Sequence, residues 1–382
     1  MSDIIEYSLL NTHKDFDTLP FSVIDGVIFS QLAYLDYNQL MTENTLFTRG
    51  IPFHKIPEKE YFDKLFTVDR APRETRLLFN SMAYSKRYGK VKVKYHENIL
   101  NTEKTIQFSA TTFVLPDGNA CVAFRGTDST ITGWRENFDM LYNETVPAQQ
   151  LSVKYLNKVA GKIKGKIFVV GHSKGGNLAI YSSVMCSPKT KEKILEIQSF
   201  DSPGFTESFI TSDKYLIMEE KIKRIVPEES MIGMLLNNTD SYKIIKSKGE
   251  GIFQHDPFYW IVENNELVAG EKIHSSAKFL TNTFREWMGS HSPEQRKLFI
   301  DSVFKIIETT NAQNANSFIE WSEYLKENNS IFIDTLKDMD SESRSFMLKF
   351  LGTIFPSARD SILIGPKNLI KSTYDRIKNK VD

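Results

Sequence analysis

The sequence predicts an α/β protein: a largely parallel sheet covered by helices on both faces, followed by a helical appendage. Three observations predict it. Between residues 90 and 247, short apolar runs alternate with stretches of helical spacing. Within that region one apolar run, Ile167-Phe168-Val169-Val170, passes directly into a glycine-rich turn and then into NLAIYSSVMC, a helical pattern. Beyond about residue 280 helical spacing continues and little strand pattern remains.

The elements follow in chain order. Residues 21–35, FSVIDGVIFSQLAYL, place Ile24, Val27, Ile28, Leu32 and Leu35 at helical spacing. Further helices are expected at 59–67 and 73–88. KVKVKY at 90–95 then alternates as a half-exposed strand does. IQFSATTFVL and ACVAFRGT flank Pro116-Asp117-Gly118-Asn119, so 106–126 is expected to form a hairpin. Leu151, Tyr155, Leu156, Val159 and Ile163 mark a helix over 151–163, and KIFVV follows as a strand. After NLAIYSSVMC come three more strand patterns, ILEIQSF, KIKRIV and SYKIIKS. The C-terminal region has helical spacing in REWMGSHSPEQRKLFIDSVFKIIETT, SFIEWSEYLKENN and NLIKSTYDRIKNK. Its Ser292-Pro293-Glu294-Gln295 has the form of a helix start, with Ser as N-cap and Pro at the first helical position. These patterns divide the chain into an α/β domain over 1–280, with a helical cap drawn from 40–88, and a helical extension over 281–382.

Composition narrows the function. The chain has 382 residues, 41% hydrophobic, with 27 Phe and 15 Tyr, enough for a substantial core. Lys and Arg total 48 against 48 Asp and Glu, a balance that argues against a general electrostatic role on nucleic acid or anionic membrane. Cys121 and Cys186 both sit in apolar segments and are expected as buried thiols rather than a disulfide. The first residues, MSDIIEYSLLNTHKDFDTLP, lack a positive n-region and a sustained apolar core, and no run approaches about 18 apolar residues. The expectation is a soluble, cytoplasmic protein without a membrane span. Nothing in the pattern calls for a cofactor or a metal.

The chemistry is concentrated around one serine. Residues 169–180 read VVGHSKGGNLAI, with Gly171, Gly175 and Gly176 bracketing Ser173. Glycines this dense weaken strands and helices alike. A sharp strand-to-helix turn that exposes a serine requires them, and GHSKG fits the G-x-S-x-G elbow of the α/β-hydrolase fold. Such a serine needs a base, an orienting acid and an oxyanion hole. Of seven histidines, His13, His54 and His96 precede the nucleophile and His172 lies inside the elbow, aimed away from its neighbour. His255, in GEGIFQHDPFYW after the last strand pattern, stands where chain order expects the base, ahead of His274. Asp201, in SFDSPGF, and Glu229, in RIVPEESMIG, each follow a strand, and either can deliver a carboxylate to the carboxyl edge of the sheet. The shorter Asp201 is the stiffer choice, and Glu229 is the alternative acid. Oxyanion donors are expected from the backbone N–H of Lys174 and from Thr127, at the strand–loop junction CVAFRGTDST.

FRGTDST, GWRENFDM, GHSKGGNLA and FDSPGF together resemble the class 3 lipase-like branch of the α/β-hydrolases. Within it, PFSVIDGVIFSQLAYLDY and QHDPFYW are similar to a bacterial group known as a domain of unknown function. The resemblance spans roughly residues 18–265, with its motifs in the expected order. It implies Ser173 as nucleophile, His255 as base, and Thr127 and Lys174 as oxyanion donors. Asp201 departs from it: typical class 3 lipases have Gly there and place the acid after the next strand, which here ends in Val226-Pro227-Glu228-Glu229. The acid therefore stays open between Asp201 and Glu229.

The expected activity is hydrolysis of carboxylic esters through an acyl-enzyme, on a small acyl-ester or lipid-like substrate, with transient contact to a lipid surface. A thioesterase, amidase or acyltransferase uses the same machinery, because the triad does not set the leaving group. A non-catalytic binding protein on this fold is the reading from another class. The apolar residues Trp134, Phe138, Met140, Leu141 and Tyr142, within 128–147, suit either a lid over an acyl pocket or packed core.

Overall fold

Among the described residues, eight strands form one sheet whose spatial order is the order of the chain. They are β1 (Ile51–Pro52), β2 (Lys92–Asn101), β3 (Ile106–Val114), β4 (Ala120–Phe124), β5 (Ile167–His172), β6 (Ile194–Phe200), β7 (Ile222–Pro227) and β8 (Lys243–Ile245). The computed structural model describes residues 2–41, 49–67, 71–128, 130–236, 241–309, 337 and 340–346. β1 to β4 pair antiparallel, and β4 to β8 pair parallel. A second pairing, β9 (Val262–Glu263) with β10 (Glu266–Leu267), forms a separate antiparallel ribbon. This is a mostly parallel α/β architecture.

The winding determines what covers each face. A chain that always advances to the adjacent strand by right-handed crossovers lays its crossover helices on one side of the sheet. Helices Ile131–Asp139 and Pro147–Ala160 join β4 to β5, and helix Lys174–Met185 leads from β5 towards β6. On that side Ala120, Val122, Phe124, Ile167 and Val169 pack with Tyr155, Leu156, Leu178 and Ala179. The opposite side must be covered by chain from elsewhere, and helix Val23–Leu32 supplies it. There Cys121, Ala123 and Val170 pack with Val27, Ile28 and Leu32. The alternation of Cys121 and Ala123 against Ala120, Val122 and Phe124 is the period of two that sends successive side chains to opposite faces. Because both faces are buried, β4 is apolar at every position rather than at every second one.

Helix Val23–Leu32 is held from its first turn. Asp25 accepts the Ser22 N–H at 2.7 Å and a paired contact from Arg87, Nε to Oδ1 at 2.9 Å and Nη2 to Oδ2 at 2.7 Å. The Tyr88 hydroxyl adds a bond at 2.6 Å, and both charged side chains are fully buried.

Several elements differ from the pattern's boundaries. The helix expected at 59–67 is a short 3₁₀ segment, Phe62–Phe66. Its apolar residues span little more than one turn, too short a stretch to sustain a helix. The helix expected over 73–88 is Pro72–Ala83, and the strand expected at 90–95 runs on to Asn101 because HENILN pairs with β3. The helix expected over 151–163 starts at Pro147, whose ring suits the first helical position. At the C-terminal end helices Ser275–Ser290 and Pro293–Thr309 are separated at His291-Ser292. There Ser292 N–H donates to Gln295 Oε1 at 2.8 Å and Gln295 N–H returns to Ser292 Oγ at 3.4 Å, a reciprocal cap. The helical patterns in SFIEWSEYLKENN and NLIKSTYDRIKNK lie outside the described residues, as do 42–48 and 68–70 of the expected cap. Cys121 and Cys186 are free and buried. No described helix is long and apolar enough to cross a membrane.

Candidate active site

β5 ends at His172 and the next helix begins at Lys174, so Ser173 carries the whole reversal. Its φ is 57° and ψ −133°, left-handed backbone that a residue with a Cβ adopts at a cost of about 1–3 kcal/mol. Two bonds hold it there: Ser173 N–H to Phe200 O and Gly176 N–H to Ser173 O, both at 2.9 Å. The flanking glycines are spacing requirements. A methyl on Gly171 would lie 2.1 Å from the Gly175 carbonyl oxygen, and one on Gly175 would lie 2.1 Å from that of Phe124. The turn therefore closes only because strand, helix and neighbouring strand touch through bare backbone.

Asp201 follows β6 and also has a positive φ, 43°. Its N–H bonds Ile225 O on β7 at 2.8 Å, which fixes the bend. Its carboxylate is almost fully buried and accepts three donors. Oδ2 lies 2.6 Å from His255 Nδ1, while Oδ1 takes the Ser230 hydroxyl and the Gly233 N–H, the latter at 3.1 Å. A methyl on Gly233 would lie 2.4 Å from Oδ1, so only glycine admits this approach. Behind it the buried Arg224 guanidinium donates to Gly233 O at 3.2 Å, and burial pushes its pKa down to about 10.

His255 ends the short 3₁₀ turn Gly251–His255. A carboxylate only accepts, so His255 Nδ1 carries the proton on the Asp201 side, and Nε2 of the neutral ring is left as an acceptor. The ring centroid lies 4.5 Å from that of His172, the residue before Ser173. The turn has little ladder bonding and is held by side chains. Trp260 Nε1 donates to Gln254 O at 2.8 Å, and Glu229 N–H donates to Gln254 Oε1 at 2.9 Å. Glu229 itself faces elsewhere: Oε1 lies 2.9 Å from His274 Nδ1, and Oε2 accepts the Gly251 N–H. The fold thus pairs Asp201 with His255 and Glu229 with His274.

The loop after β4 abuts the serine. A methyl on Gly126 would lie 3.2 Å from Ser173 Cβ and 2.7 Å from the His172 carbonyl oxygen. The neighbouring Thr127 is buried, and its Oγ1 has no hydrogen-bond partner among the described residues. Lys174 opens the helix after Ser173, while its side chain turns into the core. There Nζ reaches Glu136 Oε2 at 3.0 Å and Gln107 O at 2.7 Å. Burial lowers the Lys174 pKa, and the Glu136 carboxylate beside it opposes that shift. Glu136 also accepts the N–H groups of Gln107, at 3.0 Å, and Ala148, at 2.9 Å. The pair ties the serine turn to β3 and to both crossover helices.

Other histidines are placed away from this cluster. His54 Nδ1 bonds Gly89 O at 2.7 Å, and the buried His96 bonds Thr111 Oγ1 at 2.8 Å. Sequence reasoning missed Ser230, Gly233, Glu136, Tyr34 and the side chain of His172. Only Ser230 and Gly233 had a local signal, as small residues just beyond the end of β7.

The arrangement sets a strained, buried serine at a helix N-terminus, and the ring of the preceding His172 lies beside an imidazole held by a carboxylate. The Mbeg1-like family model matches residues 82–305, more than half of the chain. Among solved structures the chain is similar to M37 lipase, at 14% identity over 57% of this chain and 70% of that one, with a TM-score of 0.35. A Rhizomucor miehei lipase propeptide complex matches at 12% identity over 58% and 67%, with a TM-score of 0.32. A triacylglycerol lipase from Penicillium expansum matches at 13% identity over 48% and 82%, with a TM-score of 0.31. No curated protein sequence matches.

Proposed function

The chain belongs to the Mbeg1-like family, and we propose that it is a serine hydrolase that cleaves carboxylic esters through an acyl-enzyme. The observation that carries the reading is the 2.6 Å contact of His255 Nδ1 with the buried Asp201, next to a serine strained at a strand–helix junction. In this reading Ser173 Oγ attacks the ester carbonyl carbon and His255 Nε2 takes its proton. Asp201 holds the Nδ1–H tautomer and stabilises the imidazolium that forms. The oxygen of the tetrahedral intermediate meets the N–H groups of Thr127 and Lys174. The Thr127 hydroxyl adds a third donor, which accords with its lack of a partner among the described residues. The intermediate then expels the alcohol, which receives the proton from His255. A water molecule, deprotonated by the same imidazole, releases the acid and restores Ser173.

The test uses purified protein, a fluorophosphonate probe and p-nitrophenyl esters of several acyl lengths. The native protein is expected to be labelled at Ser173 and to hydrolyse the esters. Ser173→Ala is expected to lose both, with a thermal unfolding curve near the native one, because the glycines rather than the hydroxyl satisfy the turn. A native protein that neither labels nor hydrolyses overturns the reading.

A further inference from the structure

Two imidazoles meet beside Ser173, and the proposed mechanism uses one. His172 is buried at the end of β5, and its Nε2 lies 2.8 Å from the backbone carbonyl oxygen of His255. A carbonyl oxygen only accepts, so Nε2 carries a proton. His172 Nδ1 lies 3.3 Å from the Tyr34 hydroxyl, and in the neutral ring that nitrogen is the acceptor and Tyr34 the donor. Room for the phenol comes from Gly126, where a methyl would lie 2.1 Å from the Tyr34 oxygen. A side chain from the turn after the helix covering the sheet thus matches the tautomer of a ring that grips the base's own main chain.

We propose that His172 is a positioning residue: its Nε2–H holds the His255 backbone so that the His255 ring stays on Asp201 and presents Nε2 to Ser173. This rests on the reading of Ser173 and His255 as nucleophile and base. The link runs from the residue before the nucleophile directly to the residue that bears the base. It sets their separation locally, whatever the 250–256 segment does at its other end. Segments held by side chains rather than ladders are the ones that drift. A displacement of about 1 Å at a reacting group costs on the order of 10²-fold in rate. Glutamine can offer an N–H where His172 Nε2 stands, whereas leucine fills the space without a donor.

The experiment compares native protein, His172→Gln, His172→Leu and Tyr34→Phe by two readouts. The first is the NMR signal of histidine ring N–H groups, which reports geometry whether or not the protein is an esterase. Native His172 is expected as the Nε2–H tautomer and His255 as the Nδ1–H form, protected from exchange by Asp201. His172→Leu is expected to lose that protection and His172→Gln to keep it, while Tyr34→Phe keeps His172 in the Nε2–H form that the His255 carbonyl requires. The second readout is ester hydrolysis. His172→Leu is expected to lose kcat on the order of 10²-fold at nearly unchanged KM, and His172→Gln to stay within about tenfold of native. A His255 Nδ1–H as protected in His172→Leu as in the native protein overturns the proposal, as does an unchanged kcat. If His172→Leu does not fold, the native protein decides, and a His172 ring found there as the Nδ1–H tautomer, with no proton on Nε2, overturns the proposal. A native protein with the expected ring signals but no esterase activity sinks the hydrolase reading and leaves the positioning contact standing.

Discussion

Exchanging one oxygen of Asp201 for an amide separates the two carboxylates that follow neighbouring strands. Asp201→Asn leaves the shape of the bend but offers His255 an N–H or a weaker acceptor, which favours the wrong tautomer. On the proposed mechanism the expected cost is on the order of 10⁴-fold in kcat, as for the corresponding exchange in a serine protease. Glu229→Gln, whose carboxylate faces His274 and Gly251, is expected to stay within about tenfold. Steady-state kinetics on one ester compares them, and the opposite ranking moves the acid to Glu229. By the same geometry His255→Ala is expected to be inactive and His274→Ala to retain activity. His96 gives a pH dependence instead. Burial, and then the Arg125 charge, lower its pKa from 6.5 to about 3. The folded protein holds it neutral while the unfolded chain binds a proton, so below about pH 6.5 stability falls as pH falls, until about pH 3. At about pH 5 the loss is about 2 kcal/mol at roughly 1.4 kcal/mol per pH unit. Denaturant unfolding of native protein and His96→Gln across that range checks this: the native curve should fall more steeply by that amount.

At the scale of the element, the serine turn is a contact between three backbones. Helix Lys174–Met185 reaches β4 only because Gly175 has no side chain. Gly175→Ala places a methyl against the Phe124 carbonyl oxygen, a rigid backbone atom that cannot swing aside. The helix must shift away from the sheet. The expected loss is at least about 3 kcal/mol, from overpacking at a site without slack, together with loss of probe labelling at Ser173. Chemical denaturation and fluorophosphonate labelling read the two effects separately. Full stability with full labelling would show that the turn tolerates the methyl. The buried Lys174–Glu136 pair belongs to the same turn, and truncating either partner strands the other charge in the core.

Across the whole molecule, the N-terminal segment and the C-terminal helices close what the sheet leaves open. Arg87 fastens helix Val23–Leu32 to the body through Asp25 and through the carbonyl oxygens of Asp15, Leu19 and Pro20. Arg87→Met leaves a fully buried carboxylate with its strongest partner gone, and the expected cost is about 3–5 kcal/mol. Urea midpoints measure it, and a change below about 1 kcal/mol would mean that the pair contributes little beyond its replacement. On the other side, Arg135 of helix Ile131–Asp139 pairs with Asp301 and lies over the Phe304 ring at 5.0 Å. Phe138 meets the same ring at 5.8 Å. Helix Pro293–Thr309 therefore packs on the helix that follows the Thr127 loop. Phe138, on the apolar side of 131–139, is thus engaged by helix Pro293–Thr309.

What the sequence determined by itself was local. GHSKG placed a strand–helix turn at Ser173 because only glycines permit backbone contacts that close. The run of β4 and the alternation in β2 placed strands because burial on one face or two leaves a period that can be read directly. Ser292-Pro293-Glu294-Gln295 marked a helix start because a cap is satisfied within four residues. The tertiary structure decided what depends on residues distant in the chain. Asp201 and Glu229 look equivalent in sequence, since each follows a strand. Which one meets His255 depends on where the 250–256 turn lies, and that is set by Trp260, Glu229 and His172. The cover over the second face was likewise beyond any local pattern, because a helix shows that it has an apolar side but not which sheet that side will meet. Spacing within a segment records its own hydrogen bonds and burial, whereas a contact between segments records a competition among all the surfaces the chain offers, and only the folded chain resolves it.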